Sequence, residues 1–181
     1  MTRITFQTPG PDATRNLGAC LGRRAPPGTL ILLTGPLGAG KTTFAQGVAA
    51  GLGIAQPVVS PTYTLIREYE VPPREPGIER PRSAGRLVHM DFYRLSGARE
   101  VVDLGLDDYL ASSDIVVIEW PERASGVDLP EAINVSIGAV HGEADTRRIV
   151  FAAETEAGDE LLTAVADEAA RGSNGSDVAR D

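Results

Sequence analysis

The chain has 181 residues, the size of a single domain, and its formal net charge is −8 at pH 7. This acidic balance argues against free-standing nucleic-acid binding, because contacts to phosphates need a basic face. The one cysteine, Cys20, is too few for a disulfide framework or a multi-cysteine metal site. No secretory leader and no apolar run of about 18 residues is visible, so the sequence predicts a cytoplasmic protein that makes no use of a membrane.

The first half of the chain predicts strands and helices in alternation. In chain order these are a strand, a helix, a buried strand, a helix and an exposed strand, at residues 4–7, 13–21, 29–34, 42–52 and 62–71. The second helix places Phe44, Val48 and Leu52 on one face, which is the pattern of a helix packed on a core. Residues 72–85 hold four prolines and two glycines, so we expect a hairpin tip or an insertion there.

The second half predicts more strands than helices. Strands are expected at residues 86–91, 114–119, 133–137 and 147–152, one or two short helices at 100–110, and a longer helix at 159–170. The strand at 114–119 is apolar between its acidic ends and is expected at the centre of a sheet. The order predicts an α/β fold with a mostly parallel central sheet flanked by helices and with antiparallel additions. We expect one domain over residues 1–170 and a disordered tail over 171–181.

A glycine-rich segment between the second strand and the second helix carries the strongest functional signal. Its sequence, Gly-Pro-Leu-Gly-Ala-Gly-Lys-Thr over residues 35–42, matches G-x-x-x-x-G-K-[ST], the phosphate loop of nucleotide-binding proteins. Lys41 is the only lysine of the chain, in a composition that otherwise uses arginine, and a compact ammonium suits a place between phosphate oxygens. Backbone N–H groups of the loop surround phosphate at the helix N-terminus, and the hydroxyl of Thr42 is offered to magnesium. The residues expected at the phosphates are Pro36, Leu37, Gly38, Ala39, Gly40, Lys41 and Thr42.

Two carboxylates stand where strands end. Glu119 closes the strand at 114–119 and Asp91 closes the strand at 86–91, and ligands of open α/β sheets bind beyond such ends. We therefore expect Glu119 to bind magnesium or orient water, and Asp91 to contact magnesium through water or align the attacking water. His89 faces the same way as Asp91, and both a site role and a structural role are open for it. Three roles are open for Trp120, which are to cover the nucleotide site, to bind a partner, or only to pack against its neighbours.

Three further segments resemble one family when they are taken together with the loop. They are Ser-Pro-Thr-Tyr-Thr-Leu at 60–65, His-Met-Asp-Phe-Tyr-Arg-Leu at 89–95 and Ile-Glu-Trp-Pro at 118–121. In this order they resemble the TsaE (YjeE) family, the small bacterial ATPases required for the threonylcarbamoyladenosine modification of tRNA. The resemblance extends over residues 4–155.

The resemblance implies a P-loop NTPase-like fold and a set of roles for the matching residues. Lys41 and Thr42, with Thr43 beside them, are expected to hold the phosphates of ATP and Mg²⁺, and Glu119 corresponds to the acidic residue at the metal. Two switch-like or partner-facing segments follow, which contain Ser60, Thr62 and Tyr63 in the first and His89, Tyr93 and Arg94 in the second, with Trp120 as a neighbouring aromatic residue. The implied partners are TsaB and TsaD, with tRNA reached only through that complex.

The expected reaction is slow hydrolysis of ATP, because no internal arginine finger is assigned and Arg94 is equally suited to a salt bridge. Three alternatives remain open. A small-molecule or nucleotide kinase would need an arginine-rich lid, and the arginines near residues 74–86 lie among prolines. A GTP-dependent switch would need an N-K-x-D guanine motif, for which no second lysine exists. The third is an ATP-sensing scaffold in which hydrolysis is incidental.

Overall fold

The strands and helices of the described residues follow the order that the sequence predicts, with one additional strand at Val178–Arg180. The computed structural model describes residues 2–73, 85–112, 114–172 and 178–180. The strands in these ranges are β1 (Thr2–Pro9), β2 (Leu30–Thr34), β3 (Ile66–Glu70), β4 (Arg86–Asp91), β5 (Ile115–Glu119), β6 (Ile133–Val140), β7 (Glu143–Ala153) and β8 (Val178–Arg180). The helices are α1 (Pro11–Arg24), α2 (Lys41–Gly51), α3 (Ala98–Asp103), α4 (Leu106–Leu110) and α5 (Glu156–Gly172), with a 3-10 turn at Pro121–Ala124.

All the strands of the described ranges join one sheet in the order β3-β4-β5-β2-β6-β7-β1-β8. The central strands β4, β5, β2 and β6 run parallel, and β3, β7, β1 and β8 are added antiparallel at the two sides. Every residue of β5 is buried, as expected for a central parallel strand covered on both faces. The predicted fold class, an α/β fold with a mostly parallel core and antiparallel additions, is confirmed.

Helices cover both faces of the sheet, because alternate residues of the central strands point to opposite sides. In β2, Ile31 and Leu33 belong to the core under α1, α2 and α5, while Leu30 and Leu32 belong to the core under α3 and α4. The first core holds an aromatic group in which the rings of Phe6 and Phe44 each meet Phe151 edge-on. On the outer side of this layer, Arg23 and Arg24 of α1 both pair with Glu168 of α5.

The helices α1 and α2 lie unusually close together because glycines face each other across their interface. A Cβ at Gly18 would stand 2.4 Å from the carbonyl oxygen of Phe44, and one at Gly22 would stand 2.1 Å from that of Val48. From the other side, a Cβ at Gly47 would stand 2.1 Å from the carbonyl oxygen of Arg15. Any larger residue would push the helices apart, so this packing fixes α2 and the loop that precedes it.

Differences from the sequence expectation fall at the ends of elements. The strand expected from residue 62 begins only at Ile66, because the N–H groups of Thr64 and Leu65 bond to the carbonyl oxygen of Pro61 in a turn, and Leu65 has a φ of 66°. Most of the proline-rich stretch expected as a hairpin tip lies outside the described residues. The domain bounds and the disordered tail stay predictions; within that tail, β8 pairs with β1. In the described part of the chain, no helix has the length and apolar character needed to cross a membrane.

Candidate functional site

The glycine-rich segment forms a turn between the end of β2 and the start of α2. Gly35 has a φ of 140°, and a Cβ there would stand only 2.2 Å from the carbonyl oxygen of Ile137 on β6. Gly40 precedes the helix with a φ of 110°, in the region that favours glycine. The helix begins at Lys41, and the N–H groups of a first helical turn have no partners within the helix. Those N–H groups and the helix dipole favour an anion at this place.

The side chain of Lys41 is buried inside the loop, with 4% of its surface exposed. Its Nζ donates hydrogen bonds to the carbonyl oxygens of Gly35 at 2.7 Å and of Pro36 at 3.0 Å. The same ammonium lies 3.7 Å from the centre of the Trp120 ring, a cation–π distance. The ammonium of Lys41, the only lysine of the chain, is therefore held by the carbonyl oxygens of Gly35 and Pro36 and by the indole ring of Trp120.

Burial lowers the pKa of the Lys41 ammonium from its ordinary value, because a charged group is less well solvated inside the protein. The negative charges of Glu119, Glu122 and Asp91 oppose this shift. The lowered pKa means that burial outweighs these three carboxylates at Lys41.

Asp91 and Glu119 lie side by side at the carboxyl ends of neighbouring parallel strands. They are register partners in the β4–β5 ladder, and Glu119 is also level with Leu33 near the end of β2. Both carboxylates are buried, with 2% and 3% of their surfaces exposed. The sequence prediction that strand ends bring these acids to the phosphate loop therefore matches the geometry.

Glu119 connects the loop to His89. The hydroxyl of Thr42 donates to Oε1 of Glu119 at 2.8 Å, and Nε2 of His89 lies 2.9 Å from the same oxygen. This distance is that of a hydrogen bond between the imidazole and the carboxylate. His89 is fully buried, and within the described residues its Nδ1 has no hydrogen-bond partner. The carboxylate thus has a contact from Thr42 and another from His89, and the role of His89 stays a prediction.

Asp91 joins the two switch-like segments. Its Oδ2 accepts a hydrogen bond from the hydroxyl of Ser60 at 3.2 Å and another from the hydroxyl of Thr62. Its Oδ1 accepts the backbone N–H of Tyr93 at 2.9 Å. One buried carboxylate therefore holds the segment at 60–64 against the segment at 89–94.

Aromatic side chains surround the opening of the site. The rings of Tyr93 and Trp120 lie 5.0 Å apart, and Trp120 has a left-handed backbone with φ 60° and ψ 48°. Such a conformation is strained for a residue with a side chain, and strain of this kind clusters at functional sites. Tyr63 is 87% exposed, with the guanidinium of Arg94 5.2 Å from its ring. Leu37, at the tip of the loop, is 77% exposed.

The structure thus brings most of the predicted site residues together and leaves a few at the rim. Lys41, Thr42, Asp91, Glu119 and their contacts form one connected group. By contrast, Leu37, Tyr63 and Arg94 lie at the surface around it. The individual roles of all these residues stay predictions.

The comparison with protein families agrees with this geometry. The family profile described as "Threonylcarbamoyl adenosine biosynthesis protein TsaE" matches residues 8–149.

The chain belongs to the TsaE family.

Two relatives that carry the TsaE name align with 62% and 75% of this chain. A protein named "tRNA threonylcarbamoyladenosine biosynthesis protein TsaE" from Nostoc sp. is 45% identical over 118 residues, which are 62% of this chain and 64% of that protein. The match therefore spans just under two thirds of the Nostoc relative. The protein of the same name from Haemophilus influenzae is 38% identical over 137 residues, 75% of this chain and 77% of its own length.

A comparison with solved structures shows that the similarity covers the whole fold. The crystal structure of Bacillus subtilis YdiB superposes with a TM-score of 0.72 at 30% sequence identity. The superposition covers 93% of this chain and 97% of that one. The sheet described above is therefore part of a fold that this chain shares with YdiB over nearly its whole length.

Two supports of the loop are absent from the sequence predictions. Arg147 of β7 donates from Nε to the carbonyl oxygen of Ala39 at 3.1 Å, across 108 positions of the chain. No sequence pattern marks such a contact, because it depends on β7 lying two strands away from β2. The close packing of α1 on α2 does have a signal, since glycines occur four residues apart in both helices, at 18 and 22 and at 47 and 51.

Proposed function

We propose that this chain is an ATPase that binds and slowly hydrolyses Mg-ATP to support a TsaB–TsaD complex in the threonylcarbamoyladenosine modification of tRNA. The observation that carries the proposal is the group formed by Lys41, Thr42 and Glu119 at the N-terminus of α2, where a buried ammonium lies next to a hydroxyl–carboxylate pair. Family membership supplies the biological process, and the curated relatives carry it in their names.

The loop suits the phosphates of ATP. The Lys41 ammonium is bonded to neutral carbonyl oxygens, and phosphate oxygens are stronger acceptors for it because they are charged. The N–H groups at the start of α2 add donors without side-chain reorganisation. The loop residues 36–43 are therefore proposed to hold the phosphates, with Lys41 neutralising the charge that develops on the transferred group.

The donor set also suits magnesium. Mg²⁺ prefers oxygen ligands and commonly takes one or two from the protein, the remainder being phosphates and water. Thr42 and Glu119 provide a hydroxyl and a carboxylate 2.8 Å apart. Over the described ranges no group of three or more His, Cys, Asp or Glu side chains could enclose a metal by itself, which agrees with an ion shared with the nucleotide. Bound there, the ion would neutralise charge on the β- and γ-phosphate oxygens.

In the proposed reaction, a water oxygen bonds to the γ-phosphorus while the bond from phosphorus to the β–γ bridging oxygen breaks. ADP leaves with the electron pair, and the water proton passes to phosphate or solvent. His89 and Thr42 hold Glu119 in a single orientation. Asp91 aligns the water while its other contacts tie it to Ser60 and Thr62, so that alignment depends on the position of the first switch-like segment.

Partner control is proposed because no arginine finger is assigned within the chain. The guanidinium of Arg94 lies 5.2 Å from the exposed ring of Tyr63, and the proposal gives Arg94 no contact with the γ-phosphate. Phosphate-loop enzymes without an arginine finger are slow, and one supplied in trans raises the rate by about 10³–10⁵-fold. We therefore propose weak hydrolysis by the isolated chain and stimulation by TsaB and TsaD, with tRNA contacted only through those partners.

Glu119→Gln tests the proposal, with Glu131→Gln as the matched control. The amide keeps the size of the side chain and an acceptor for Thr42 but removes the charge, whereas Glu131 is an exposed residue in the segment before β6. We expect Glu119→Gln to bind ATP, lose hydrolysis and fail to support formation of the modified adenosine in a reconstituted TsaB–TsaD reaction, while Glu131→Gln behaves as wild type. Hydrolysis by Glu119→Gln at the wild-type rate would reject the assigned chemistry. Equal wild-type rates with and without TsaB–TsaD would reject partner control.

A further inference from the structure

Arg147 connects the β6–β7 hairpin to the phosphate loop. Its Nε donates to the carbonyl oxygen of Ala39 at 3.1 Å, and its Nη1 donates to the carbonyl oxygens of Ala144 at 3.0 Å and of Thr146 at 3.1 Å. The side chain is half-buried, so these bonds are partly shielded from water. The two bonds to its own hairpin leave the guanidinium little freedom, and they direct Nε at the loop.

The bond to Ala39 determines how the next peptide group is oriented. The Ala39–Gly40 peptide is planar and trans, so its carbonyl oxygen and the N–H of Gly40 point in opposite directions. By holding the oxygen, Arg147 makes that N–H point away from the hairpin. Gly40 itself has a φ of 110°, a region in which glycine has wide freedom to rotate. The hydrogen bond that Arg147 donates to the Ala39 carbonyl therefore restrains a peptide that is followed by a residue with wide conformational freedom.

The same side of the loop is supported by the start of α1. The hydroxyls of Thr8 and Thr14 lie 2.8 Å apart and both residues are buried. Thr14 donates to the carbonyl oxygen of Gly10 at 3.2 Å, and its methyl group is the nearest atom, at 4.0 Å, to where a Cβ on Gly40 would stand. β1 also pairs with β7 so that Thr8 and Arg147 are register partners. The backbone of Arg147 is therefore held in place by its pairing with β1.

We propose that Arg147 is a positioning residue for the phosphates of the bound nucleotide: it holds the Ala39–Gly40 peptide so that the loop amides are oriented before a nucleoside polyphosphate binds. The inference rests on the proposed function, since it concerns the same loop. It assigns Arg147 no direct contact with the nucleotide. Its effect is therefore on the phosphate part of the ligand and not on the nucleoside.

The test compares Arg147→Ala and Arg147→Lys with Arg148→Ala. Arg148 is the next residue of β7, is exposed, and points to the opposite face of the sheet, which makes it a matched control. Calorimetric affinities for Mg-ADP and for magnesium tripolyphosphate are measured, together with thermal unfolding without ligand. We expect Arg147→Ala to weaken both ligands about 10-fold, the size expected for one charge-assisted hydrogen bond, and Arg148→Ala to leave both unchanged. Arg147→Lys, which retains a charged donor, should recover part of the affinity.

The outcomes separate this inference from the function on which it rests. Unchanged tripolyphosphate affinity in Arg147→Ala would overturn the inference alone. A loss for ADP without a loss for tripolyphosphate would also overturn it, because it would mean that Arg147 contacts the nucleoside. If Arg147→Ala unfolds at a much lower temperature, Arg147→Lys decides: at wild-type stability, an affinity above that of Arg147→Ala supports positioning, and an affinity equal to that of Arg147→Ala rejects it. Failure of the wild-type chain to bind either ligand would overturn both proposals.

Discussion

Replacing Gly22 by alanine is expected to destabilise the protein by forcing α1 and α2 apart. The new Cβ would stand 2.1 Å from the carbonyl oxygen of Val48, 2.9 Å from its carbonyl carbon and 3.0 Å from its Cα, against about 3.4 Å for an ordinary contact. All three atoms are backbone, so relief requires the helices to separate by about 1 Å, and overpacking of this kind costs about 1–3 kcal/mol. Alanine has a higher helix propensity than glycine, which offsets about 1 kcal/mol of this cost. Because the clash is with backbone, we take the upper part of the overpacking range, about 2–3 kcal/mol, and therefore expect a net loss of about 1–2 kcal/mol.

For a chain of this size the loss corresponds to a Tm lower by about 2–8 °C, measured by thermal unfolding followed by circular dichroism. Gly172→Ala is the matched control, because Gly172 ends α5 and has no atom within 4 Å of an added Cβ. Its Tm should equal or slightly exceed that of wild type. Because α2 begins at Lys41, ATP hydrolysis by Gly22→Ala should also fall. A Tm for Gly22→Ala equal to that of Gly172→Ala would refute the account of the helix packing.

Two further predictions use the charged groups. Lys41 is the only lysine and is 4% exposed, so an amine-reactive reagent should modify it more slowly than the α-amino group. Saturating Mg-ATP should slow the modification of Lys41 further, as measured by peptide mass spectrometry. If ATP gives no protection, that result would contradict a loop that holds phosphate. Burial acts to raise the pKa of Glu168, but hydrogen bonds from Arg24 and Arg23 outweigh it and lower that pKa from its ordinary value of 4.5. The depressed pKa contributes stability that is present above about pH 4.5 and is lost as the pH falls through the pKa of Glu168 in the folded state. The Tm difference between wild type and Glu168→Gln should therefore be constant near pH 7 and should shrink below about pH 4. A difference that does not change with pH would contradict the ion pair.

The local pattern of apolar and polar residues is sufficient to predict the central strands of the sheet. β4 and β5 were predicted almost to the residue, because a short apolar run ending in an acid has few alternatives when both faces must be buried. β3 was predicted four residues too early, because the turn at Pro61 uses backbone hydrogen bonds that alternating side chains do not reveal. Edge elements depend on such local bonding more than on hydrophobic pattern.

The centre of the site could be inferred from topology. Thr42 and Glu119 are 77 positions apart, yet one rule about the carboxyl ends of parallel strands brings them together. The role of His89 was left open, since a histidine in a strand gives no indication of which group it meets. Arg147 was not predicted at all, because its partner is a backbone carbonyl, which has no sequence identity to recognise.

Calorimetric titration of Mg-ATP into wild type and Lys41→Met tests the central claim most directly. Methionine keeps much of the volume of the buried side chain but removes the ammonium, and folding can be checked separately by thermal unfolding. We expect saturable binding of one ATP to wild type and an affinity at least about 100-fold lower for Lys41→Met, the equivalent of two lost charge-assisted hydrogen bonds. Equal dissociation constants for the two folded proteins would contradict the assignment of this loop as the ATP site.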